Sequence, residues 1–143
     1  MVDAPPVAPP VKKRASEQAY AIDALKRLRR LQVKCRREAA ILGRSADLVF
    51  LHEDALCSVE FKLSDWRRAF RQARDHQLAV DRAYVCLPGK RVSPAMQSEA
   101  ENIGIGLLVF QDDDAWPFAI AVPAKESRVL SPNVRERLLS SLF

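Results

Sequence analysis

Residues 46–77, ADLVFLHEDALCSVEFKLSDWRRAFRQARDHQ, restrict the possible folds more than any other stretch of the chain. Two strand-sized apolar runs, 46–51 and 56–63, are joined by the short link His52 to Ala55, and a basic helical pattern follows. Side chains alternate across a strand, so Ser58, Glu60 and Lys62 project from one face, while Cys57, Val59, Phe61 and Leu63 project from the other. The apolar set can enter a core. The charged set can follow it only for a chemical reason, because an unpaired buried charge is costly.

The flanking segments supply an α/β frame. Ser16 caps a helix whose apolar positions are Tyr20, Ile22, Ala24, Leu25, Leu28 and Leu31, with Glu17 in its first turn, where the positive end of the helix dipole favours an acid. From Leu31 the period changes to two, with Leu31, Val33 and Cys35 alternating with polar residues, and residues 36–45 form an irregular passage through Gly43. Ser64 and Asp65 start a helix over 65–80. Trp66, Phe70, Ala73 and Val80 form its apolar stripe, and Arg67, Arg71 and Arg74 a separate cationic one. Ala83 to Leu87 is a strand ended by Pro88-Gly89, and strand, crossover helix and strand in that order imply parallel pairing. Ser93-Pro94 opens a helix that stops near Gly104. Ile105 to Phe110 is a strand, and Trp116 to Val122 an edge strand that tolerates Pro117. A short helix over 133–143 closes the pattern. Asp112, Asp113 and Asp114 read as a solvated turn, since three adjacent acids cannot all face one ion.

At 143 residues the chain predicts one domain over 16–143, preceded by a flexible, proline-rich basic arm over 1–15. The apolar runs are strand-sized and far short of a bilayer span, so a soluble, cytoplasmic protein without a membrane partner is expected. The three cysteines fall in apolar strand patterns, which suits reduced core thiols better than disulfides or a zinc cage. A net charge of +5 favours a polyanionic partner.

Phosphodiester cleavage needs a hard cation, a water made nucleophilic and a positive group near the attacked phosphorus. Asp47 and Glu60 on adjacent strand ends can hold Mg²⁺ or Mn²⁺ by oxygen. Lys62 lies two residues beyond Glu60 on the same face, roughly 6–7 Å along the strand, where it can orient water or stabilise developing charge. A surface pair of charges on a wet sheet face is the competing reading of Glu60 and Lys62.

In this context Ala46-Asp47, Glu60-Phe61-Lys62 and Gln72-Ala73-Arg74-Asp75-His76 resemble the motifs of the PD-(D/E)XK nuclease superfamily, with His76 where related nucleases carry tyrosine. The run EFKLSDWRRAFRQA is similar to small bacterial members related to Holliday-junction resolvases. The resemblance covers about residues 16–110. It implies a restriction-endonuclease-like mixed β-sheet flanked by helices, with an αβββαβ core. It also implies metal binding by Glu17, Asp47 and Glu60, action of Lys62 on the water, and a catalytic position for Gln72. Arg67, Arg71, Arg74 and Gln72 are then DNA contacts. The expected function is a metal-dependent DNA endonuclease in repair, recombination or restriction. A non-catalytic nucleic-acid-binding or accessory module with the same fold, and an interaction domain docking a protein through its basic helix, are the alternatives. Duplex or junction cleavage takes two cuts by symmetry-related sites, so a homodimer is expected, and a protein partner is expected to supply targeting.

Overall fold

Local rules account for most helix ends. In the computed structural model, which describes residues 13, 14 and 16–143, the Ser16 hydroxyl accepts the Ala19 N–H at 3.2 Å and starts α1 (Glu17–Arg30). Asp65 accepts the Arg68 N–H to start α2 (Trp66–His76), and Ser93 does the same for the Met96 N–H at α3 (Pro94–Ile103), which Gly104 ends at φ 82°. Helix α4 (Pro132–Ser140) closes the fold. Helix α2 is shorter than its apolar spacing predicts. After His76 the N–H groups of Leu78 and Ala79 bond three residues back, to Asp75 and His76, and this tightening turns Val80 into the core outside the helix.

The six strands are β1 (Cys35–Ile41), β2 (Arg44–His52), β3 (Ala55–Phe61), β4 (Arg82–Cys86), β5 (Gly106–Phe110) and β6 (Phe118–Val122), and they lie in chain order across one sheet. Strands β1, β2 and β3 are antiparallel, β3, β4 and β5 are parallel, and β6 returns antiparallel at the edge. This mixed sheet flanked by helices has the expected αβββαβ order. The first strand corrects the sequence reading. Leu31 is the C-cap of α1, with its N–H on Arg27 and Leu28, and residues 35–41 form a strand, interrupted only at Glu38, instead of an irregular passage. Leu42 and Gly43, both at positive φ, make the two-residue turn into β2, and Glu53 and Asp54 do so between β2 and β3. The second turn carries no glycine and hence no strong local signal.

Both sheet faces are covered. Tyr20, Ala24 and Leu28 of α1 pack against Leu48, Val59, Phe61 and Phe110, while Phe70, Ala73, Ala100 and Leu138 pack on the face bearing Val49, Leu56, Val85 and Leu107. Ser58 and Glu60 are therefore buried beneath α2, and the wet-face reading of Glu60 does not hold. The arm proposed over 1–15 lies almost wholly outside the described residues. Arg14, assigned from the sequence to the flexible arm, contacts Asp23 at 2.8 Å and Asp112 at 2.6 Å, and stacks 5.0 Å from the Tyr20 and Phe110 rings. Among the described residues no helix is long and apolar enough to cross a membrane.

Candidate active site

Asp47 and Glu60 meet where regular pairing lapses. The β2–β3 ladder ends at Leu48↔Val59, so the next opposed residues are Asp47 and Glu60. On the other flank, the β1 register skips Glu38, which sits at φ 50° opposite Asp47. Carboxylates take over the backbone groups this leaves: Asp47 Oδ2 accepts the Phe61 N–H at 2.9 Å, and Glu60 Oε1 accepts the Asp47 N–H at 3.3 Å. Glu17, at the start of α1, reaches the same end of the sheet, where its Oε2 accepts the Leu63 N–H at 2.8 Å. Beyond β3, the Lys62 N–H bonds Cys86 O at 3.1 Å, which keeps this residue on the β3–β4 ladder.

Burial sets the electrostatics. Glu60 is 4% exposed; desolvation, followed by the charge of Asp47, pushes its carboxyl well above the usual range. Asp47 is raised by burial too. The Phe61 N–H and the Lys62 charge oppose that rise, whereas the charge of Glu17 adds to it. The four sequence-predicted groups Glu17, Asp47, Glu60 and Lys62 thus share one electrostatic neighbourhood. His76, not assigned to the site from sequence, brings Nε2 to 3.8 Å from Glu60 Oε1. Burial depresses it to about 4, so it is neutral at pH 7 and makes no true ion pair with Glu60. The charge of Asp75, and after it the Ser45 backbone, opposes that shift, yet nothing meets hydrogen-bond geometry at His76 Nδ1.

Gln72 stands one helical turn before His76 and lines a polar groove of about 460 Å³ with Arg44, Ser45, Arg68, Arg71 and Asp75. Its Oε1 is buried without a partner, as is the hydroxyl of Ser58. Arg44 is tied to Asp75 across the groove. Arg67 and Arg74 point the other way, into a second groove between α2 and α3 that Arg71 also lines. The predicted stripe of Arg67, Arg71 and Arg74 therefore lines one groove together, and Arg71 also reaches the polar groove, where Arg68 joins it. Sequence reasoning missed Arg68, although it lies four residues before Gln72 and so shares its helix face. Arg44 had no comparable signal, because it enters the groove through the β1–β2 turn.

No family model matches the chain, and no curated protein does. Among solved structures it is similar to SfsA of Pyrococcus furiosus, solved in complex with Ca²⁺, with 14% identity and a TM-score of 0.40. The similarity covers 80% of this chain and 63% of that one. At that distance the likeness assigns no role to any residue.

Among the described residues no three His, Cys, Asp or Glu side chains form a ready cage for a cation. The Asp47–Glu60 pair still suits a Mg²⁺-like ion, which is commonly held by one or two carboxylates with water and phosphate oxygens completing the shell. Two hard oxygen donors are present; burial first, and neighbouring carboxylate charge after it, raises their affinity for protons, and a cation would offset both. As placed, Glu17 engages the Leu63 N–H and acts on Asp47 through its charge.

Proposed function

We propose that this chain is a metal-dependent DNA endonuclease, a phosphodiester hydrolase using Mg²⁺ or Mn²⁺. The observation that carries the reading is the buried Asp47–Glu60 pair, set where β2 leaves both its neighbours and influenced by the Lys62 charge. Two buried acids side by side weaken a fold unless a ligand or function uses them, and a sheet end holding them within reach of a lysine charge is a candidate for catalysis.

In this reading Asp47 and Glu60 hold the cation, and Glu17 adds negative charge to the same site. A bound divalent cation would neutralise charge on the phosphate and make water more acidic. Lys62 orients the attacking water and opposes charge building on the phosphate. Gln72, whose buried amide oxygen has no partner, contacts substrate or ordered water from the wall of the polar groove. Arg67, Arg68, Arg71 and Arg74 supply phosphate contacts. Among the described residues none of these four forms an ion pair, a circumstance that also favours the second reading, a nucleic-acid-binding module without cleavage. A homodimer or a targeting partner completes the proposal for double-stranded substrates.

The test is cleavage of labelled single-stranded, duplex, flap and four-way-junction DNA with Mg²⁺ or Mn²⁺, comparing the wild-type chain with Asp47→Ala and Lys62→Ala. Metal-dependent cutting that falls at least about 100-fold in both variants is expected. Absence of cutting in every case, with salt-sensitive binding intact, refutes the enzyme and supports the binding module.

A further inference from the structure

The groove between α2 and α3 differs in chemistry from the polar groove beside Gln72. It encloses about 620 Å³ and has an apolar floor of Trp66, Phe70 and Ile103 beneath a cationic rim of Arg67, Arg71 and Arg74. Glu99 is its one acid among the described residues. Trp66 is half-buried, its ring 4.8 Å from Phe70 in an edge-on arrangement, and the guanidinium of Arg67 lies 4.3 Å from the Trp66 ring centroid. Both helices follow parallel strands, α2 after β3 and α3 after β4, so both begin at the strand ends beyond which Lys62 lies. Trp66 follows Lys62 by only four residues.

We propose that this groove receives an unpaired stretch of nucleic acid, with Trp66 and Arg67 as a stacking platform for a base and Arg71 and Arg74 along its phosphates. The inference rests on the DNA reading above and names its substrate class: a strand with unpaired bases entering the site, as in single strands, flaps or splayed ends. The composition of the groove favours that occupant. A continuous duplex presents mainly phosphates to a helix ridge and needs cations alone, whereas an apolar floor beneath arginines serves a base whose face is free. The volume is that of a site for a small organic group rather than a flat interface. An acidic, apolar peptide is the rival occupant, and it would not require a planar partner for the Trp66 ring.

The chain has two tryptophans, so Trp116→Phe leaves Trp66 as the sole reporter. Trp116 packs on Phe50 and His52, remote from the groove lining. In EDTA at low salt, an oligothymidylate should quench Trp66 emission in that variant, while a blunt duplex should quench it little. By anisotropy, Trp66→Ala should weaken binding of labelled oligothymidylate about tenfold and binding of the duplex less than about twofold. Trp66→Phe should keep most of the affinity, and circular dichroism checks that each variant is folded. Equal losses on single strand and duplex, or no quenching on binding, overturn the platform and leave the DNA reading standing. Binding of neither nucleic acid, with an acidic oligoglutamate bound instead, overturns both.

Discussion

Glu60→Gln provides a thermodynamic test of the site that needs no substrate. Gln keeps the shape and an acceptor for the Asp47 N–H but removes the charge. Burial and the neighbouring Asp47 raise the Glu60 carboxyl from an ordinary 4.5 to about 8 in the folded chain. A raised folded value means that the stability associated with protonated Glu60 is fully present below about 4.5 and is lost as pH rises through about 8. Taken at face value, each pKa unit is worth 1.36 kcal/mol, so the full shift bounds the loss at roughly 4–5 kcal/mol. Asp47 and Glu60 titrate together, and the loss assigned to Glu60 alone is about 1–3 kcal/mol. In EDTA at pH 8.5, Glu60→Gln should therefore be more stable than the wild-type chain by that amount, or roughly 3–10 °C in Tm for a domain of this size. The advantage should vanish near pH 4. Differential scanning calorimetry between pH 4 and 9 measures it, and adding Mg²⁺ at pH 8.5 should raise the wild-type Tm more than that of the variant. A variant that is less stable at pH 8.5 in EDTA, or a difference independent of pH, would refute the account of Glu60 as a buried, charge-strained acid.

His76 predicts the opposite slope. Its folded value is lowered to about 4, so its contribution is present above about 6.5 and is lost as pH falls through about 4. Urea unfolding should show the wild-type chain losing up to about 3 kcal/mol more than His76→Leu between pH 6.5 and 4. Arg71 lines both α2 grooves, and Arg71→Ala should lower the slope of log binding against log salt by about 1 for DNA, measured by anisotropy titrations at several salt concentrations. Leu42 is 59% exposed at φ 46° beside Gly43, so Leu42→Asn should raise the urea midpoint by about 0.5–1 kcal/mol equivalent through a better type I′ turn.

How much could be read from the chain depended on the range of the forces involved. The caps at Ser16 and Ser93-Pro94, the stop at Gly104, the parallel β3–α2–β4 unit and the edge position of β6 follow from steric and hydrogen-bonding rules acting over a few residues, and each stands in the structure as expected. The spacing of Asp47, Glu60 and Lys62 was legible for the same reason, since alternation along a strand is a local property. The strand at 35–41 was not. Its pattern is interrupted by Glu38 in a left-handed conformation, and its pairing is defined by a partner strand. The turn at Glu53-Asp54 lacked glycine, so only closure of the β2–β3 ladder specifies it.

The amino-acid sequence by itself determined the order of elements, the apolar stripes and the acids and lysine available at the end of β3, because these depend on neighbours along the chain. Tertiary structure alone decided that Glu60 is buried, that Asp47 sits where pairing fails on both sides, and that Glu17 crosses 46 residues of sequence to reach the Leu63 N–H. It also divided the arginines of α2 between a polar groove and an apolar one, according to what packed on either side of the helix. Desolvation and charge coupling arise from groups distant in the chain and close in space, so the protonation of these acids follows from the folded arrangement and not from their spacing.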